Sequence, residues 1–174
     1  MPGRAAIITI STSKAAGAGR DESGPRLAAL AGRLGVEVVG RDLIPDERSL
    51  IEARLRHWAD VEGCALVLTS GGTGLAPTDV TPEATRAVLE REAPGIPHAI
   101  REASRAHTTH WMLSRGLAGT RGSSLIVNFP GSPASIDQTG AAIADALAHA
   151  LAHAGLKVVP ALWSRCPSSR SGRP

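Results

Sequence analysis

The chain has 174 residues, 43 % of them hydrophobic, enough to bury one compact core and short for two domains. Its formal charge is +3, but the last eleven residues hold Arg165, Arg170 and Arg173 without an acid, so the body is close to neutral and has no basic groove for nucleic acid. Three Trp, one Phe and no Tyr provide few platforms for stacking bases, and no segment approaches the roughly 20 apolar residues that span a bilayer.

Residues 5–10 form a short apolar strand, and "STSKAAGAGRDESG" after it is a Gly/Ser-rich loop. The N-terminal apolar run is too short for a signal peptide, and Cys64 and Cys166 make neither a CxxC pair nor a disulfide framework, so a reducing cytoplasm is expected. Leu27, Leu30, Ala31 and Leu34 have helical spacing within 25–34, and Gly35 stops that helix. A second strand covers 36–39, and a helix is predicted over 49–61 with Leu50, Ile51, Leu55 and Trp58 on its apolar side. Residues 64–69 are apolar throughout, as expected of a parallel strand covered on both faces.

Thr81 is a good N-cap with Pro82 at the first helical position, predicting a helix over 82–92, and another follows over 97–107. Residues 124–128 make a fourth strand, and the long final helix runs from Pro133 to about Ala154, capped by Ser132 and ended by Gly155. Residues 1–163 are expected to form one domain, with 164–174 a disordered basic tail. The fourfold strand–helix alternation predicts a parallel α/β sheet with helices on both faces. Ligands bind such sheets at the carboxyl ends of the strands, where the loops 11–24, 43–48, 70–81 and 129–132 emerge.

The glycine loop Ser70, Gly71, Gly72, Thr73, Gly74 is not a P-loop, because no Lys-Ser/Thr follows it, and it lacks the third glycine of a dinucleotide fingerprint. Missing Cβ atoms would let its amides approach phosphate oxygens, although the same letters suit a tight turn after a buried strand. Asp79 lies on that loop and Asp46 on the preceding one. Two carboxylates beside a polyphosphate suggest Mg²⁺ held between them and substrate oxygens, while singly Asp46 could cap a helix and Asp79 stabilise a turn. "NFPGSP" places a turn and Ser132 before the last helix, where an anion site and a plain cap explain the letters equally well. His149 and His153 have the i, i+4 spacing of metal ligands but fall with Asp145 off the apolar stripe of Ile143, Leu147 and Leu151, which places them on a solvated face.

"TSGGTGLAPTDVTPEAT", "LIPDE" and "LSRGLAGTRGSSLIVNFPGSP" together resemble the molybdopterin-binding family of molybdenum cofactor biosynthesis, of the MogA/MoaB type and related to a domain of gephyrin. The likeness runs in consistent order from about Ala5 to Gly155. It implies a three-layer α/β/α fold with a mostly parallel sheet, commonly a homotrimer, that adenylylates molybdopterin with MgATP before a molybdenum-insertion enzyme takes the product. By this resemblance Asp46 and Asp79 serve metal-dependent catalysis and Ser70, Gly71, Gly72, Thr73 and Gly74 hold the nucleotide phosphates. Ser104, Ser114, Asn128, Pro130, Gly131 and Ser132 match pterin-binding positions. The alternative is a catalytically silent pterin-binding or scaffold protein of the same pathway.

Overall fold

The computed structural model describes residues 3–153. Four strands, β1 (Arg4–Ile10), β2 (Glu37–Ile44), β3 (Leu66–Ser70) and β6 (Ser124–Phe129), lie parallel in the order β2-β1-β3-β6, and two more, β5 (Ala118–Arg121) and β4 (Arg91–Glu92), extend the sheet antiparallel beyond β6. The four parallel strands are those expected from sequence, and the antiparallel pair was not foreseen.

Alternate residues of the central strands feed two separate cores. Ile7, Leu66, Leu68, Leu125, Val127 and Phe129 pack with α2 (Ser23–Arg33), α5 (Gly95–Ser104) and α6 (Pro133–His153) on one face. Ile8, Ile10, Val67 and Ile126 pack with α3 (Arg48–Arg56) and α4 (Thr81–Val88) on the other. The result is a three-layer α/β/α sandwich, and it explains why β3 is apolar at successive positions.

Several boundaries differ from the sequence expectations, each for a local reason. The stretch 11–24, expected to be irregular, contains a short helix α1 (Thr12–Ala15), whose Ser11 side chain accepts a hydrogen bond from the Lys14 amide. β2 continues past Val39 through Arg41 and Asp42, because the Asp42 carboxylate is matched by Arg54 Nε at 2.7 Å and Trp58 Nε1 at 2.6 Å. The Trp58 ring lies directly on Gly40, where a Cβ would collide with it. The helix expected over 49–61 is regular to Arg56 and widens into a π-turn at His57–Val61. The helix expected over 82–92 stops at Val88, where Leu89 turns extended and leads into β4. Thr81 is its first residue rather than its cap and is fully buried.

Ile143, Leu147 and Leu151 of α6 are buried while Asp145 and His149 are exposed, so the apolar stripe faces the core as predicted. The His153 side chain, the helix end at Gly155 and the tail 164–174 lie outside the described residues. Among the described residues no helix is long and apolar enough to cross a membrane.

Candidate functional site

All four loops that leave the parallel strands meet at one edge of the sheet, around a cleft of about 250 Å³. Thr9, Ile10, Ser11, Lys14 and Ser23 line it from β1 and the segment after it, and Asp46 comes from the β2–α3 loop. Ser70 comes from the end of β3, Gly71, Gly72 and Asp79 from the β3–α4 loop and Gly131 from the β6–α6 turn.

The loops approach so closely because glycine occupies the crossing points. Gly71 has φ +105°, and a Cβ there would strike the Ile10 carbonyl oxygen. A Cβ on Gly131 would sit 3.4 Å from the Gly71 Cα, so these two loops pack backbone against backbone. Ser70 Oγ donates to the Pro130 carbonyl at 3.0 Å and Ser23 Oγ to the Gly131 carbonyl at 3.1 Å, fixing the turn before α6 to its neighbours.

Asp46 and Asp79 converge on the glycine loop from different directions. Asp46 Oδ2 accepts from the Thr12 amide and hydroxyl, each at 2.8 Å, while Oδ1 faces Gly72, 2.9 Å from where its Cβ would lie. Thr81 Oγ1 crowds the same point, buried and without a hydrogen-bond partner. Asp46 therefore does not cap α3, whose flanking residue is Glu47. Asp79 Oδ2 accepts from the Ala76 amide at 3.0 Å and stands 2.7 Å from the Cβ position of Gly74, so this carboxylate does close a turn and also reaches the cleft.

Other sequence-selected residues stand outside the cleft. Ser104 is buried at the end of α5, its hydroxyl donating to the Ile100 carbonyl at 3.0 Å. Asn128 is buried beneath the loops: its Nδ2 donates to Thr69 Oγ1 at 2.9 Å and Thr85 Oγ1 at 3.0 Å, and its Oδ1 accepts from the Leu117 amide at 3.1 Å. Thr73 is buried, its carbonyl accepting from the Arg115 amide at 2.9 Å. Ser114 is half-buried and Ser132 exposed, and Pro130 presents its carbonyl to Ser70.

Sequence reasoning missed Thr12, Lys14, Ser23, Glu83 and Arg115. Arg115 sits beside the selected Ser114, but its partners are main-chain carbonyls that no residue pattern announces. It pairs with Glu83 and donates to the Gly74 and Asp79 carbonyls at 2.7 and 2.6 Å. Burial pushes the Glu83 pKa up, but the Arg115 hydrogen bond, a backbone hydrogen bond and the charges of Arg115 and Arg86 together outweigh that and hold the carboxyl below its ordinary value.

The probable molybdopterin binding domain family matches residues 6–158. The chain belongs to that family. This molybdopterin-binding domain is 38 % identical over 156 residues to the molybdopterin adenylyltransferase of Haemophilus influenzae, a match covering 88 % of this chain and 79 % of that protein. It is 42 % identical over 147 residues to the molybdenum cofactor synthesis protein cinnamon of Drosophila melanogaster, covering 83 % of this chain but only 24 % of that longer protein. The crystal structure of the molybdopterin biosynthesis enzyme MoaB from Thermus thermophilus superposes with a TM-score of 0.82 at 42 % identity, over 88 % of this chain and 96 % of that one. The sandwich and its antiparallel edge are thus shared architecture.

Proposed function

We propose that the protein is a molybdopterin adenylyltransferase, a nucleotidyltransferase of molybdenum cofactor biosynthesis. The observation that carries this reading is the convergence of Asp46 and Asp79, from separate loops, on one glycine turn in a cleft of a molybdopterin-binding domain. The terminal phosphate of molybdopterin attacks the α-phosphorus of ATP: the new phosphorus–oxygen bond forms as the bond to the bridging oxygen breaks, and that oxygen leaves with its electron pair as pyrophosphate. Such a transfer needs two anions positioned in line and their developing charge neutralised.

The glycine loop Ser70, Gly71, Gly72, Thr73 and Gly74 serves the nucleotide phosphates through the surface that Ser70, Gly71 and Gly72 present to the cleft, with Thr73 and Gly74 continuing the turn away from it. Asp46 and Asp79 would hold Mg²⁺, which when bound supplies positive charge to the phosphates. The donor set fits: Asp46 Oδ1 is not taken by Thr12, the Thr81 hydroxyl beside it is unsatisfied, and these are the hard oxygen ligands Mg²⁺ takes.

Ser114, Gly131 and Ser132 offer the accessible side of the pterin site. Asn128 and Pro130 lie behind these segments, Asn128 holding the Leu117 amide and Pro130 accepting from Ser70, while the Ser104 hydroxyl is engaged by the Ile100 carbonyl within α5 and in this reading makes no direct pterin contact. In this reading the protein works as a homotrimer in the cytoplasm and passes its product to a molybdenum-insertion enzyme. Incubating purified protein with molybdopterin and MgATP is expected to yield adenylylated pterin and pyrophosphate in equal amounts. Pterin bound without product would instead establish a silent binding protein.

A further inference from the structure

The loop 73–79 carries Asp79 into the cleft, yet residues 75–78 are all exposed, so burial contributes little to the shape of the loop. Its own hydrogen bonds are two, from the Asp79 amide to the Ala76 carbonyl at 2.9 Å and from the Ala76 amide to Asp79 Oδ2. The rest of its anchorage comes from Arg115. The Arg115 amide donates to the Thr73 carbonyl at 2.9 Å, Nε to the Gly74 carbonyl at 2.7 Å and Nη2 to the Asp79 carbonyl at 2.6 Å. Nη1 pairs with Glu83 in the first turn of α4, which aims the guanidinium. The clamp thus holds the loop at both ends, and the second point is the main chain of Asp79 itself.

We propose that Arg115 is a positioning residue for Asp79: its guanidinium, aimed by Glu83, fixes the loop so that the carboxylate is held against the cleft. The inference deepens the adenylyltransferase reading and rests on it for its catalytic part. Only a planar fork of donors serves two carbonyls and a carboxylate at once, and a lysine ammonium is a single point on a flexible stem. With the main chain of Asp79 released, its carboxylate no longer has a fixed origin, and a displacement of about 1 Å at a reacting centre lowers rates by about 100-fold.

The test uses the full chain with Arg115→Ala, Arg115→Lys, Asp79→Asn and the Arg115→Ala/Asp79→Asn double variant. Amide hydrogen exchange across 74–80 should accelerate at least tenfold in Arg115→Ala or Arg115→Lys, whichever is folded, with β1 and β3 unchanged. Turnover should fall about 10- to 100-fold while KM for molybdopterin stays within about threefold, and guanidinium ion added to Arg115→Ala should restore part of it. The double variant should be no more than about threefold slower than Asp79→Asn alone, because Arg115 acts through that carboxylate. Unchanged exchange in the loop overturns the clamp, and a full multiplicative loss in the double variant overturns action through Asp79. If the wild-type protein itself makes no product, the adenylyltransferase reading fails, and the exchange measurement still decides whether Arg115 holds the loop.

Discussion

Thr12 and Asp46 bond to each other in both directions: the Thr12 amide and hydroxyl donate to Asp46 Oδ2, and the Asp46 amide donates back to Thr12 Oγ1 at 3.0 Å. This latch joins the loops that leave the two neighbouring strands β1 and β2, and it leaves Asp46 Oδ1 turned to the glycine loop. Thr12→Val keeps the shape and removes the hydroxyl, so Oδ2 retains one donor and the Asp46 amide loses its acceptor. The variant should be destabilised by about 1–2 kcal/mol, read from urea unfolding, and its turnover should fall about tenfold as the carboxylate gains freedom.

Asp79 both closes a turn and faces the cleft, and substitution by Asn separates the two roles. Asn retains a side-chain oxygen that can accept from the Ala76 amide but carries no charge for a cation. Asp79→Asn should therefore keep its melting temperature within a few degrees while turnover falls by about two orders of magnitude, about 3 kcal/mol of transition-state stabilisation. A well-folded variant with wild-type turnover would remove Asp79 from the catalytic set.

The parallel half of the sheet was legible in the sequence because β1, β3 and β6 are covered on both faces and so carry unbroken apolar runs. The antiparallel half was not: β4 is two exposed residues, and β5, "AGTR", has no alternation to read. Their pairing is set by partners 29 positions apart, Arg91 with Thr120. At the site, topology did the work of recognition, since the loops at the carboxyl ends of parallel strands all emerge on one edge of the sheet, and Asp46 after β2 and Asp79 after β3 meet there across the intervening β1. Asn128, which the resemblance matches to a pterin-binding position, shows what the residue pattern leaves out: its side chain bonds inward, donating to Thr69 and Thr85 and accepting from the Leu117 amide.

That inward arrangement gives Asn128 its own prediction. Asn128→Ala leaves the Leu117 amide without its acceptor and the two threonine hydroxyls without a donor, in a buried layer where water does not replace them. The cost should be about 2–3 kcal/mol in unfolding free energy. Pterin affinity measured on the folded fraction should change far less than it does in a Ser114 or Ser132 variant.

Gly72 has φ +60°, and a Cβ there would meet Asp46 Oδ1 at 2.9 Å and collide with Thr81 Oγ1. Gly72→Ala thus combines a left-handed backbone with a clash against the two oxygens that converge on the site. A loss of about 1–3 kcal/mol is expected from thermal or urea unfolding, together with weaker Mg²⁺ dependence of any residual turnover, because the displaced group is Asp46. Gly32, where a Cβ meets nothing within 4 Å, lies in α2 and provides the control: Gly32→Ala should be neutral or stabilising.

The Glu83–Arg115 pair should give the loop a signature in pH. Burial raises the Glu83 pKa, and the Arg115 hydrogen bond, a backbone hydrogen bond and the charges of Arg115 and Arg86 together more than reverse this, so the folded-state value lies below the ordinary 4.5. A depressed carboxyl pKa contributes stability that is fully present above the unfolded-state value and is lost as pH falls through the folded-state value. Glu83→Gln abolishes that contribution at every pH. The melting temperature of the wild-type protein should therefore exceed that of the variant at pH 7 by a constant margin down to about pH 5, and the margin should close as the solution is acidified further. Asp60, whose pKa is also lowered, first by its hydrogen bond to Arg121, is present in both proteins, so its contribution cancels in the difference. A margin that persisted unchanged to pH 3 would show that Glu83 supports α4 by packing alone and that its charge does not aim the Arg115 guanidinium.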